Sequence, residues 1–134
     1  MKDDKYAIQL FKHEYKTRMS TKYWGNKNEN YPRKNWSSVI LWNCGHEANK
    51  CLVPEFVKNK PGSFLHRFQW LDDNLIGGLD KKWNWLAIEY DENPSTGIVH
   101  YTLGTTCFKE FSKLSMSNYW HHYLKKLKNG YYEE

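Results

Sequence analysis

The segment WSSVILWNCG, residues 36–45, decides how the chain reads. Its first eight residues combine β-branched and aromatic side chains without charge, which suits a strand buried on both faces. The run ends at Cys44-Gly45, where glycine permits a sharp turn. Cys44, His46 and Cys51 then follow closely, so the stretch poses a choice. Either these soft ligands carry the chemistry, or Asn43 and Gly45 do.

Upstream, YAIQLFKH (6–13) is apolar over the length of a strand, with Tyr6, Ile8 and Leu10 on one side. Residues 17–34 are polar, rich in lysine and asparagine, and carry Gly25 and Pro32; they read as a loop that can cover a site but hardly pack a core. Downstream, HEANKCLVPEFVKNKPG has helical spacing in short pieces interrupted by Pro54 and Pro61. SFLHRFQWLDDNLIGG reads as a further short helix stopped by Gly77-Gly78. WNWLAIEY (83–90) and GIVHYTLG (97–104) are strand-like, and DENPST between them is turn chemistry. From Ser115 onward, Met116, Tyr119, Trp120, Tyr123, Leu124 and Leu127 recur at helical spacing, the stripe of an amphipathic helix expected to pack on a core. Lys125, Lys126 and Lys128 suit the negative end of its dipole, and Gly130 can close it. The expected fold is mixed α/β (α+β): a small mixed sheet with short helices and a C-terminal amphipathic helix.

With 134 residues, 40% of them apolar, and seven Trp, ten Tyr and six Phe, the chain can build a core, and one domain is expected. The net charge is +5 and the pI about 9.0, but the lysines are scattered, with KKLK near the C-terminus as the one dense run. That pattern reads as a solvated basic surface; a nucleic-acid footprint is not favoured. Three cysteines, no apolar segment after Met1 and no run near the ~20 apolar residues of a membrane span lead to the expectation of a reduced, cytoplasmic protein without a membrane span.

Several constellations could carry chemistry. Cys44, His46 and Cys51, completed by Cys107, His13 or His100, could hold zinc, but the two-knuckle spacing of structural zinc sites is missing and there is no C-x-x-C. The plainer reading is two buried cysteines flanking an exposed histidine. A thiol nucleophile at Cys44 or at Cys107 in an exposed GTTC loop has no partner geometry set by the sequence. His121 and His122 diverge by about 100° on a helix and cannot share a ligand. Asp72-Asp73 could bind a hydroxylated ligand or a divalent ion beside aromatic rings that stack on a sugar, or could simply be solvated acids at a helix end.

Taken together, WSSVILWNCG, LHRFQWLDD, LIGGLDKKWNWL and IVHYTLG resemble the C-terminal half of GT-A-fold glycosyltransferases, the glycogenin-like enzymes and especially short bacterial and phage-type relatives. The resemblance runs from about residue 6 to residue 111. It implies an Asn-x-Gly turn at Asn43-Cys44-Gly45 facing a donor sugar, and a polar segment at His66, Gln69, Asp72 and Asp73, with Trp70 as an apolar wall and Trp83 either in that wall or in the core. It also implies a Leu-x-x-x-Trp-Asn segment ending at Asn84, and a histidine-containing glycine loop from His100 to Gly104. By the same resemblance, His100 would ligate Mn²⁺ or Mg²⁺, and Asp72 or Asp73 would orient a hydroxyl as the catalytic carboxylate. Asn43, Gly45, His66, Gln69, Trp70, Asn84 and Gly104 would line the substrate. On this view Asn43 and Gly45 outrank the cysteines.

The departures from that pattern are equally specific. The nucleotide-binding half and its Asp-x-Asp motif are expected to lie outside this chain, and TLGTTCF lacks the lysine directed at a diphosphate. An open sheet edge would then call for a second copy or a partner chain, so a homo-oligomer or complex is expected. The implied function is transfer from a nucleotide sugar to a hydroxyl acceptor, either completed by another polypeptide or lost. The rival reading is a non-enzymatic binding protein for a protein or nucleic-acid partner.

Overall fold

The computed structural model describes residues 3–130. In chain order its elements are β1 (Ile8–Leu10), β2 (Thr21–Lys22), β3 (Asn26–Lys27), β4 (Leu41–Trp42), α1 (Pro54–Lys58), α2 (Gly62–His66), β5 (Ile76–Gly78), β6 (Trp85–Ala87), β7 (Val99–Tyr101) and α3 (Ser117–Lys128), with six 3₁₀ turns between them. The fold class is mixed α+β, with a C-terminal helix as the sequence implies. The chain packs as two compact units, residues 3–14 with 30–84 and residues 15–29 with 85–130.

In the first unit β1 is the middle strand of three, antiparallel to β4 and parallel to β5, with Ile8 opposite both Trp42 and Ile76. A parallel pair cannot be closed by a hairpin, so residues 11–75 form the crossover and carry both short helices. All three β1 residues are buried, and Ala7, Ile8, Leu10, Phe68, Leu71 and Ile76 make the core, with Trp36, Ile40 and Trp70 packed against it.

Two expectations need correcting here. Residues 36–43 are not one buried strand: Trp36–Ser38 is a 3₁₀ turn, and the two-residue β4 that follows is exposed. The cause is local, because Asn35 takes a left-handed conformation (φ 59°) and the Trp36 indole donates to the His13 carbonyl at 3.0 Å, fixing the chain before it can extend. Nor do Gly77 and Gly78 stop a helix; they belong to β5. The Tyr6 ring lies where a Cβ on Gly77 would stand, so the strand needs glycine for close approach.

The second unit holds a β2–β3 hairpin and a parallel β6–β7 pair with Leu86 opposite His100. The hairpin turns through Trp24 and Gly25, both at positive φ. Tyr23 stacks on Trp24 and lies 4.4 Å from the Phe108 ring, centre to centre. Leu86, Ala87, Leu103 and Met116 are buried. The Tyr101 hydroxyl donates to the Met116 carbonyl at 2.8 Å, and Met116, at φ 63°, opens α3. Against expectation α3 buries none of its residues, and Tyr123 and Leu127 are 56% and 61% exposed.

Candidate functional site

The first unit contains a cleft of about 460 Å³. Arg33 and Arg67 supply its charge, Asn35, Ser37, Ser38 and Ser63 its neutral hydrogen-bonding groups, and Tyr31 and His66 its rings. Two of its wall residues, Arg33 (φ 57°) and Asn35 (φ 59°), are held left-handed, and so is Phe68 (φ 50°) just beyond it. Non-glycine residues at such angles cost of order 1–2 kcal/mol each, and they persist where surrounding bonds over-determine them.

Those bonds come from Arg33. Its Nη1 donates to the carbonyls of Arg67 at 2.6 Å and Phe68 at 2.9 Å, and its Nη2 donates to the Leu71 carbonyl at 3.4 Å and to Asp73 Oδ1 at 2.6 Å. A guanidinium presents several donors in one plane, so a single side chain can satisfy a whole turn of carbonyls. Arg33 is therefore a brace that shapes residues 67–73. Arg67 differs: it lies over the Tyr31 ring, 4.9 Å from its centre, and makes no ion pair among the described residues. Its charge is open to a ligand.

On the same rim the Ser37 hydroxyl and His66 Nδ1 are 3.2 Å apart and share a hydrogen bond. Behind the wall, buried Asn84 donates from Nδ2 to the Ser38 hydroxyl at 2.8 Å, and Ser38 donates to the Asn35 carbonyl at 2.6 Å. The Asn84 Oδ1 is buried without a hydrogen-bond partner. Two further cavities adjoin. One, of about 360 Å³, is lined by Arg33, Arg67 and Gln69 among others; the second, of about 300 Å³, is apolar, with Trp42, Phe68 and Trp70 in its walls and Ser37 and His66 shared with the cleft.

Of the residues singled out in the sequence, the structure thus brings together His66, Gln69, Trp70 and, through Ser38, Asn84. Asp73 is held by Arg33, while Asp72 is exposed and lines none of these three cavities. Asn43 serves the fold instead of the cleft, since its amide donates to the carbonyls of Asp4 and Tyr6, both at 3.2 Å, and clasps the chain entering β1. Gly45 has no left-handed φ and no neighbour that excludes a side chain, so nothing there demands glycine.

His100 and Gly104 fall in the second unit. His100 Nδ1 is buried without a hydrogen-bond partner, and burial lowers the imidazole pKa below its usual value. Gly104 is occupied on its side-chain face by the Phe111 ring, which explains the glycine by packing. Among the described residues no three His, Cys, Asp or Glu side chains converge to hold a metal ion, so the residues present do not fit a Mn²⁺ or Mg²⁺ site.

The cysteine-rich stretch is also settled in its details. Cys44, Cys51 and Cys107 are all exposed, not core thiols. His46 accepts a hydrogen bond from the Ala48 amide at Nδ1, 3.2 Å away, capping the 3₁₀ turn Glu47–Asn49. Sequence reasoning missed Arg33, Arg67 and Asn49. Asn49 donates to the carbonyls of Ala7 at 2.7 Å and Asn43 at 3.0 Å, and accepts from the Trp70 indole at 3.5 Å. No pattern marks such residues; the nearest thing to a signal is an arginine set beside Tyr31 and Pro32 in a polar loop.

No protein-family model and no solved structure matches the chain. It is similar to Protein CDI of Arabidopsis thaliana, at 44% identity over 123 residues, which covers 88% of this chain and 48% of that protein. The chain therefore spans about half the length of that relative. No helix among the described residues is long and apolar enough to cross a membrane.

Proposed function

We propose that the chain is a glycosyltransferase-like protein whose first unit forms the sugar or acceptor side of a nucleotide-sugar-dependent site. The observation that carries the reading is the cleft, in which serine hydroxyls, an asparagine and a histidine surround one guanidinium that makes no ion pair among the described residues. Neutral donors and acceptors suit sugar hydroxyls, and a guanidinium suits a phosphate. The aromatic wall beside it suits the apolar face of a sugar ring. Asp73 positions the turn, and Asp72, exposed on the same turn, lines none of the three cavities, so among the described residues the cleft itself contributes no carboxylate to take a hydroxyl proton.

Calorimetric titration with a panel of nucleotide-diphosphate sugars, with and without Mn²⁺, tests this. Binding by at least one donor, weakened about tenfold or more by Arg67→Ala, is the expected outcome. Absence of binding across the panel overturns the reading.

A second reading, a non-enzymatic binding protein, is favoured by one specific observation. Trp120, Tyr123, Leu124 and Leu127 line an open apolar depression on α3, a face suited to a partner protein. Concentration-dependent sedimentation that vanishes in Tyr123→Ser/Leu127→Gln would support it.

A further inference from the structure

The polar cleft and the apolar groove of the first unit share two wall residues, Ser37 and His66, so they open onto one another. Their chemistries are complementary. The cleft offers the guanidinium of Arg67, which lies over the Tyr31 ring and makes no ion pair among the described residues, while the groove offers the Trp42 and Trp70 rings, parallel within 3° with centres 6.4 Å apart, and Phe68 at 5.6 Å from Trp70. Trp42 and Val57, both 40% exposed, leave the groove accessible. A ligand without an apolar face would leave the groove unused, and a purely apolar one would leave the Arg67 charge unmatched.

We infer that cleft and groove form one bipartite site for an aromatic ring linked to an oxyanion, with the ring against Trp42 and Trp70 and the anion against Arg67. Planar aromatic side chains favour a planar guest, and a guanidinium binds phosphate or carboxylate through paired N–H donors. His66, held by Ser37 on the shared wall, adds a hydrogen bond at the junction. As the nature of the acceptor, this rests on the transfer reading given above; as a binding site, it does not.

Phenyl phosphate, inorganic phosphate and phenol titrated into the full chain, without any nucleotide sugar, test the inference. Phenyl phosphate is expected to bind at least about tenfold more tightly than either fragment, since both halves of the site are then used. Arg67→Ala is expected to remove that advantage while leaving phenol unchanged. Trp42→Ala is expected to weaken phenyl phosphate and phenol but not inorganic phosphate. Because Trp42 also pairs with Ile8, Val57→Glu serves as the independent variant: it sets a carboxylate on the exposed lip of the groove and should weaken phenyl phosphate without altering the melting temperature. Equal affinities for phenyl phosphate and inorganic phosphate, or indifference to both groove variants, overturn the bipartite site. Nucleotide-sugar titration then decides the transfer reading separately, because its readout contains neither probe.

Discussion

The two units solve the same problem, a small core with many aromatic residues, in opposite ways. In the first, strands, 3₁₀ turn and loops converge on one apolar cluster, and half-buried Arg33 and buried Asn49 satisfy main-chain carbonyls, although Asn84 Oδ1 keeps no partner there. In the second, Glu89, His100 and Thr106 each keep a buried polar atom without a hydrogen-bond partner, and the helix leaves Tyr123 and Leu127 of its apolar stripe in solvent. Satisfied polar networks rigidify, whereas orphaned polar atoms and bare apolar faces mark places that await a ligand, water or partner. The first unit thus carries the polar cleft beside its core, and the second the exposed apolar depression on α3.

The sharpest way to break this contrast is to cut the first core. Phe68→Ala should cost about 3–5 kcal/mol, because a nearly fully buried ring leaves a cavity among Ile8, Leu10 and Ile76. Urea denaturation measures it, and a cost below that of an ordinary surface substitution would show that this cluster is not the organising core. Next in size, Arg33→Ala should cost about 2–3 kcal/mol by stranding several carbonyls at once, mostly through those of Arg67 and Phe68, since the Asp73 partner is largely solvated. Asp73→Asn should then be nearly silent. If the two variants cost the same, the ion pair rather than the brace holds the turn.

These residues also mark what the sequence made legible. Period and composition located β1, the β6 and β7 strands inside longer apolar runs, and the α3 helix nearly to its ends, because each is a local pattern. Residues 36–43 misled because their β-branched and aromatic content matched a strand, while the deciding interactions were a left-handed Asn35 and an indole reaching His13 across 23 positions. Arg33 was hidden for the same reason: its partners are carbonyls 34 to 38 residues away, and carbonyls leave no trace in residue type. Of the residues named for the site, His66 lines the cleft, Gln69 and Trp70 line the two cavities beside it, and Asn84 stands behind its wall through Ser38. The resemblance that named them also named Asn43 and Gly45, whose environments are structural, and His100, which lies in the second unit.

Acid titration sharpens the contrast at His100. Burial lowers its folded pKa below the ordinary 6.5, so as pH falls through that value the unfolded chain takes up the proton first. Stability is present above the unfolded value and declines as pH drops toward the folded one. His100→Gln should flatten that part of the melting-temperature profile while leaving the neutral end nearly unchanged. An unchanged acid limb would place the imidazole in solvent and remove the buried, unpartnered Nδ1 from the description of the second unit.

The smallest expected effect is the most discriminating for α3. Had its stripe packed into a core, Leu127→Gln would forfeit about 2–3 kcal/mol of apolar burial. With Leu127 61% exposed and no buried residue along the helix, the same change should stay within about 0.5 kcal/mol, because glutamine keeps the helix propensity of leucine. Leu124, half-buried on the same face, supplies the internal scale: its replacement by glutamine should cost more than that of Leu127. An amphipathic period specifies that a helix has an apolar face, and says nothing about what covers it. If Leu127→Gln is near neutral in the isolated chain but costly when a second copy or a partner is bound, the covering is intermolecular.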